Sequence, residues 1–149
     1  MNSLLGRCDG FAARQWDTLL LAGRLALGTI FVVSGTIKVT TTAAFSASLV
    51  PRGVPAAWFW GPVGAWVEFV GGILIVLGLA TRYAALLMIR FVIVATGISH
   101  RFWEFADARE FRGQQSQFFK NLSIIGGFIF LFAVGGGRFS VDRIWQRKG

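Results

Sequence analysis

Ionisable side chains inside long apolar stretches are the residues of this sequence best suited to chemistry. Glu68 is the single charged residue between Trp58 and Ala80, and it lies near the middle of that stretch. A charge at the centre of a membrane helix costs roughly 2.5–3.5 kcal/mol on insertion scales, so it requires an inward position and a partner or water. Such a carboxylate can carry protons, bond the polar head of a bound molecule, or form half of a structural ion pair. The sequence leaves these roles open.

Arg24 and Arg90 are the expected ion-pair partners of Glu68, because both fall within apolar stretches at a similar predicted depth. Each belongs to a stripe of residues spaced three and four apart, which places the stripe on one helical face. The stripes are Arg24, Gly28, Phe31, Gly35 and Lys38 in one stretch, and Arg90, Ile93, Gly97 and His100 in another. We expect both stripes to face the interior of a bundle. For Arg24 the alternative is a side chain that reaches back to the membrane surface.

A second group of polar residues maps to the end of the bundle opposite the chain termini. Because successive membrane helices alternate in direction, Lys38, His100, Lys120 and Asn121 are predicted to meet there, above Glu68. We interpret this group as a polar mouth for ligand binding or proton transfer. A histidine in that position can exchange protons near neutral pH or bond a quinone oxygen; an ordinary histidine at the edge of a loop is the alternative.

The sequence predicts no intrinsic metal or cofactor, although a bound quinone is compatible with the polar mouth. It contains one histidine and one cysteine, Cys8. These cannot supply a bis-histidine haem site, an iron–sulfur cluster or a dithiol pair. Phosphate-binding, dinucleotide, zinc-protease and serine-hydrolase motifs are absent, so no self-contained catalytic motif is recognised.

Composition places the chain in a lipid bilayer. Of its 149 residues, 54% are hydrophobic and 15% are charged, whereas soluble domains carry about 25% charged residues. The formal net charge is +8. Most of the basic residues flank apolar stretches, where they anchor helix ends and meet anionic lipid. This pattern argues against nucleic-acid binding.

Four apolar stretches predict an all-α, polytopic membrane protein, a bundle of four transmembrane helices. A membrane helix needs about 20 mostly apolar residues. The predicted spans are 18–39, 58–80, 83–99 and 118–135, within a transmembrane domain over 18–139. Residues 1–17 form a polar N-terminal segment and 140–149 a basic C-terminal tail. Between the first two spans, Phe45 and Leu49 are four apart and predict one face of a short interfacial helix.

An even number of spans places both termini on the same side of the membrane. Seven basic residues lie on the side of the termini: Arg7, Arg14, Arg82, Arg138, Arg143, Arg147 and Lys148. Six lie on the other side: Lys38, Arg52, Arg101, Arg109, Arg112 and Lys120. Since cytoplasmic loops are enriched in basic residues, the count favours cytoplasmic termini by a single residue.

From about residue 20 to residue 142 the sequence resembles the DoxX family of small four-helix bacterial membrane proteins. The ordered set of motifs that carries the resemblance is Arg24 with Gly28, then residues 31–38 (FVVSGTIK), 53–55 (GVP), 68–72 (EFVGG), 78–85 (GLATRYAA), His100, Lys120-Asn121 and 135–142 (GGGRFSVD). The resemblance implies a four-helix bundle in the bacterial cytoplasmic (inner) membrane. It also implies a link to thiosulfate:quinone oxidoreductase and to membrane complexes that handle thiol or oxidative stress.

Three functions follow as hypotheses. The first is a membrane subunit of a quinone-linked or thiol-stress redox complex, which binds a quinone or another lipophilic molecule near Glu68, Lys38 and His100. The second is a non-catalytic anchor or assembly factor for another protein. The third is a small proton-coupled transporter, which four helices accommodate only as a dimer. Each requires a partner protein or a homo-oligomer in addition to the bilayer.

Overall fold

The computed structural model describes residues 4–146, so Arg147 and Lys148 of the basic tail lie outside the described residues. Over this range the chain forms seven α-helices and no strand. Their bounds are α1 Leu4–Arg14, α2 Trp16–Thr40, α3 Thr42–Leu49, α4 Ala57–Leu77, α5 Thr81–Ser99, α6 Ala108–Val134 and α7 Val141–Gln146, with 3₁₀ turns at Val50–Arg52 and Phe102–Glu104. Helices α2, α4, α5 and α6 are long and apolar enough to cross a membrane. The predicted all-α architecture with four membrane helices is confirmed.

Local capping explains where the helices differ from the predicted spans. Helix α6 begins at Ala108, ten residues before the predicted span, because the Asp107 carboxylate accepts hydrogen bonds from the backbone N–H groups of Arg109 and Glu110. Its first turns are polar and extend the helix beyond its apolar part. Helix α4 ends at Leu77, where Gly78 adopts a left-handed φ of +67° that glycine tolerates without strain. The short helix expected around Phe45 is α3.

Helices α2 and α4 pack closely because glycines remove side chains from their interface. A Cβ added at Gly35 would lie 2.6 Å from the backbone of Phe69, and one added at Gly28 would lie 3.0 Å from the carbonyl oxygen of Gly72. Close backbone approach at small residues is the usual way for membrane helices to associate. The contacts fix the register between the two helices, with Gly35 level with Phe69.

Helix α5 packs on the other side of α4, and α6 packs mainly on α5. Met88 of α5 fills the space beside Gly71 of α4, where an added Cβ would clash with the Met88 sulfur. Phe31, Ile75 and Phe128 complete a buried centre to which α2, α4 and α6 each contribute. The four long helices therefore enclose one apolar core.

The end of the bundle that carries the chain termini, here the terminal end, is held by polar contacts. The Asp142 carboxylate accepts hydrogen bonds from the backbone N–H groups of Ala80 and Thr81, at 2.6 and 2.8 Å, and so caps the start of α5. Asp17 accepts one from the backbone N–H of Arg138 at 2.7 Å. The segment after α6 is thereby tied to both α2 and α5.

Candidate functional site

Glu68 forms an ion pair with Lys38 inside the bundle. The Lys38 Nζ atom donates to Glu68 Oε2 at 2.5 Å, and the two side chains are 31% and 5% exposed. The register explains the contact, since Gly35 lies level with Phe69 and Lys38 follows one helical turn later. Lys38 is near the end of α2, but the chain continues past it into α3, which packs beside the first half of α4. Lys38 therefore lies deeper in the bundle than the start of α4.

The expected partners of Glu68 lie elsewhere. Arg24 is 1% exposed at the terminal end, where its Nη2 donates to the Phe139 carbonyl oxygen at 2.5 Å and its Nη1 lies against Gly78. Arg90 forms no ion pair with Glu68. The prediction that Arg24 or Arg90 pairs with Glu68 is therefore wrong. It failed because the offset between α2 and α4 along their axes could not be read from the sequence. The offset places Lys38, and not Arg24, at the height of the Glu68 carboxylate.

Arg90 lies at nearly the same height in the bundle as Glu68 but on a different surface. Met88 is level with Gly71. Arg90 lies two residues from Met88, and Glu68 lies three residues from Gly71. Both lie in the direction of the loop end, which is the end of the bundle opposite the terminal end. At 1.5 Å per residue their backbones differ in height by only about 2 Å. Arg90 is exposed, whereas Glu68 is buried. The guanidinium faces a cavity that Glu68 does not line.

This α4–α5 cavity has a volume of about 690 Å³ and lies where the two helices separate above the Gly71–Met88 contact. Its walls are mainly apolar: Trp60, Val63, Gly64 and Val67 from α4, Leu87, Phe91, Val94, Ala95 and Ile98 from α5, and Phe45 and Leu49 from α3. Leu87, Trp60 and Val94 are exposed, so the cavity opens towards the surface that faces lipid. Small-molecule sites have this size and this mostly apolar lining.

Polar groups line the α4–α5 cavity at Lys38, Arg52, Arg90, Ser99 and His100. Arg52 Nη1 donates to Ser99 Oγ at 2.9 Å, which joins the segment after α3 to the end of α5. This contact lies at the loop end of the cavity. The cavity remains open between α4 and α5.

His100 lies between the α4–α5 cavity and a second, polar cavity of about 560 Å³ at the loop end. Its Nδ1 donates to Gln114 Oε1 at 2.8 Å. Glu110, Gln114 and Gln117 of α6 line the polar cavity. One imidazole therefore contacts both a lipid-facing space and a polar space, an arrangement that suits proton exchange between them.

The structure brings together only part of the predicted polar mouth. Lys38 and His100 share the α4–α5 cavity. Lys120 is exposed and donates to Gln117 within its own helix. Asn121 Nδ2 donates to the buried Thr96 Oγ1 at 2.9 Å and so joins α6 to α5. Neither residue lines the cavity, because α6 packs on the opposite side of α5.

Known proteins that resemble the chain include bacterial membrane proteins of similar length. The inner membrane protein YqjF of Escherichia coli is 33% identical over 133 residues, which cover 89% of this chain and 95% of YqjF. The inner membrane protein YphA of the same organism is 35% identical over 147 residues, 96% of this chain and 99% of YphA. The uncharacterized membrane protein Rv3486 of Mycobacterium tuberculosis is 35% identical over 93% of both chains. No solved structure gives a significant match.

The sequence profile named DoxX matches residues 19–101. The chain belongs to the DoxX family. It is a DoxX-family integral membrane protein with four apolar helices of membrane-spanning length. The DoxX match contains the Lys38–Glu68 ion pair, Arg90 and His100, and ends before Lys120 and Asn121.

Two contacts in this DoxX protein escaped sequence analysis. Arg52 donates to Ser99 at the edge of the cavity, although its sequence context, a proline-containing loop, gives no sign of this contact. Asp142 caps α5 from 61 residues away in sequence. An isolated acid in a basic tail gives some sign of such a role, since carboxylates stabilise helix N-termini.

Proposed function

We propose that this DoxX-family protein is the membrane subunit of a redox complex in the bacterial inner membrane and that it binds a quinone in the α4–α5 cavity. The observation that carries the proposal is the position of His100, which lines both that cavity and the polar cavity at the loop end. Quinone chemistry needs a lipid-side entrance and a polar-side source of protons. The residues around this imidazole offer both.

The residues of the α4–α5 cavity fit a quinone. A quinone ring accepts hydrogen bonds at two carbonyl oxygens. The Lys38 ammonium lines the cavity as one donor, and His100, whose Nδ1–H already bonds Gln114, is a second donor through Nε2 when its imidazole carries both protons. The isoprenoid tail is apolar, and so are the valine, leucine and phenylalanine side chains of the walls. Glu68 holds the Lys38 ammonium in place by its ion pair. The entrance between α4 and α5 lets the tail remain in the lipid.

Reduction of a quinone to a quinol takes two electrons and two protons. In the proposed complex the electrons come from a partner redox protein, because this chain contains a single, exposed cysteine and, between residues 4 and 146, no cluster of metal-ligating side chains. The protons enter through the polar cavity and His100. The role of this chain is thus to bind the quinone, position it and supply its protons.

A pair of glycine variants tests quinone binding. Gly64 lines the α4–α5 cavity, and a Cβ added there has no neighbour within 4 Å, so Gly64→Leu fills the cavity without a backbone clash. Gly126 of α6 has equally open surroundings but lies outside the cavity, so Gly126→Leu is the matched control. We expect decylubiquinone to bind the wild type and Gly126→Leu saturably in lipid nanodiscs, and Gly64→Leu at least tenfold more weakly.

Co-purification provides a second test of quinone binding. We expect a prenylquinone in organic extracts of the wild type and a redox protein retained in mild detergent. If the wild type carries no quinone and shows no saturable decylubiquinone binding, the proposal is wrong. A stable protein partner without quinone would favour the assembly-factor hypothesis, and Glu68-dependent proton flux in proteoliposomes would favour the transporter.

A further inference from the structure

Arg90 is a cation in the middle of a membrane helix with no partner in the part of the chain that the structure describes. It is the tenth residue of the nineteen in α5. Between residues 4 and 146 no side chain or backbone group forms a hydrogen bond or an ion pair with its guanidinium. Arginines near helix ends reach the membrane surface with their side chains, whereas a central one usually faces a cavity and is stabilised there by water or by an anionic partner. An anionic group in the cavity would therefore supply a counter-charge that the described residues do not.

The whole α4–α5 cavity has a surplus of positive charge. Lys38, Arg52 and Arg90 line it, and no aspartate or glutamate of the described residues does. Glu68 neutralises Lys38 from behind the wall. Two positive charges, on Arg52 and Arg90, remain beside otherwise apolar walls. Because charges interact strongly where water is scarce, this surplus favours an anionic group in the cavity.

We propose that the α4–α5 cavity binds an acidic amphiphile, a molecule with a carboxylate or phosphate head and an apolar tail, and that Arg90 binds the head. A guanidinium is planar and presents paired N–H donors, which match the oxygens of either acid. The apolar side chains next to Arg90 on α5, Leu87 and Val94, contact the tail. The inference rests on the charge of the cavity and goes beyond the quinone proposal, since a quinone is neutral.

Matched ligands test the charge requirement without any variant. In nanodiscs of neutral phosphatidylcholine, we expect saturable binding of oleate and of oleyl phosphate to the wild type, and at least tenfold weaker binding of methyl oleate, which has the same tail without the charge. Acetate and inorganic phosphate in solution distinguish an amphiphile from a free anion. They should not displace oleate at concentrations a thousandfold higher.

Arg90→Gln tests the residue itself. We expect this variant to lose the preference for oleate over methyl oleate, and Arg90→Lys to keep part of it. Lys120→Gln removes an exposed cation from the outer surface of α6 and should keep the full preference. Thermal unfolding of each variant shows whether it is folded, and the ligand comparison on the wild type does not depend on that outcome.

Equal binding of oleate and methyl oleate to the wild type would overturn the inference. So would an undiminished preference in folded Arg90→Gln, or displacement of oleate by acetate or phosphate alone. The outcome is independent of the quinone experiment. Decylubiquinone binding without oleate binding would remove this inference alone, and the reverse result would remove the quinone proposal alone.

Discussion

Lys38 and Glu68 meet at 2.5 Å, but only the lysine reaches the α4–α5 cavity. The carboxylate is 5% exposed, behind the wall, whereas 31% of the lysine side chain is accessible. A molecule in the cavity can therefore contact the cation but not the anion that neutralises it. Glu68 acts on such a molecule through Lys38, by fixing the position and charge of the ammonium group.

We predict strong coupling between the two members of this ion pair. Loss of one partner leaves the other charge without compensation in the bundle, so Glu68→Gln and Lys38→Met should each lower the unfolding free energy by roughly 1–3 kcal/mol. The double variant should lose less than the sum of the two. Thermal unfolding in a single detergent measures all four proteins.

An exposed ion pair provides the control for this comparison of single and double variants. Arg101 and Glu104 lie 3.1 Å apart with side chains 36% and 47% exposed, and exposed pairs contribute about 0–1 kcal/mol. Glu104→Gln should therefore leave unfolding nearly unchanged. Additive effects of the Lys38 and Glu68 substitutions would contradict the ion pair.

The α2–α4 interface predicts opposite effects for two glycine-to-alanine substitutions. At Gly35 an added Cβ would lie 2.6 Å from the Phe69 backbone, so the helices must separate and the variant should lose about 1–3 kcal/mol. At Gly23, in the same helix, the added Cβ meets nothing within 4 Å. Gly23→Ala should be neutral or gain up to about 1 kcal/mol from helix propensity. Equal stability of the two variants would argue against the packing of α2 on α4.

Asp142 should matter for stability more than an ordinary tail residue. Removal of its carboxylate leaves two backbone N–H groups at the start of α5 without an acceptor, and loss of such a cap costs about 0.5–2 kcal/mol. We expect Asp142→Ala to lower the unfolding temperature and to speed proteolytic cleavage after α6. Asp9→Ala, at an exposed acid of α1, should do neither. If Asp142→Ala resists proteolysis and heat as well as the wild type does, the proposed cap is ruled out.

The single cysteine makes the topology directly measurable. Cys8 is exposed on α1, and the proposed orientation places both termini in the cytoplasm. A membrane-impermeant maleimide should leave Cys8 unlabelled in intact spheroplasts and label it after the membrane is permeabilised. A cysteine introduced at exposed Arg109, in a chain with Cys8→Ser, should give the opposite result. Labelling of Cys8 in intact spheroplasts would reverse the orientation.

The four membrane helices could be predicted from sequence because their signal is the sum of many apolar side chains. Helix ends were harder to predict. The start of α6 depends on one cap, Asp107, within a polar stretch that has the composition of a loop. An average of hydropathy over a sequence window counts the Asp107 carboxylate as one more charge and does not detect that it caps a helix.

The partner of Glu68 could not be predicted because it depends on the offset between α2 and α4. The polar stripe of α2 correctly included Lys38 as well as Arg24. The choice between them is made by the contact of Gly35 with Phe69, which sets the height of each cation relative to the carboxylate. For Arg90 the helical stripe predicted an inward side chain, whereas α4 and α5 separate at that height and leave it beside a cavity.

The contact of Asp142 with the start of α5 also bears on the order of biosynthesis. The residues that cap α5 and hold the Arg24 side chain are translated after all four membrane helices. The terminal end therefore completes its packing only after this segment has been synthesised and has left the ribosome. A fusion protein placed directly after Gln146 would lie beside this late closure, whereas the loop end, with its cavities, is on the other side of the membrane.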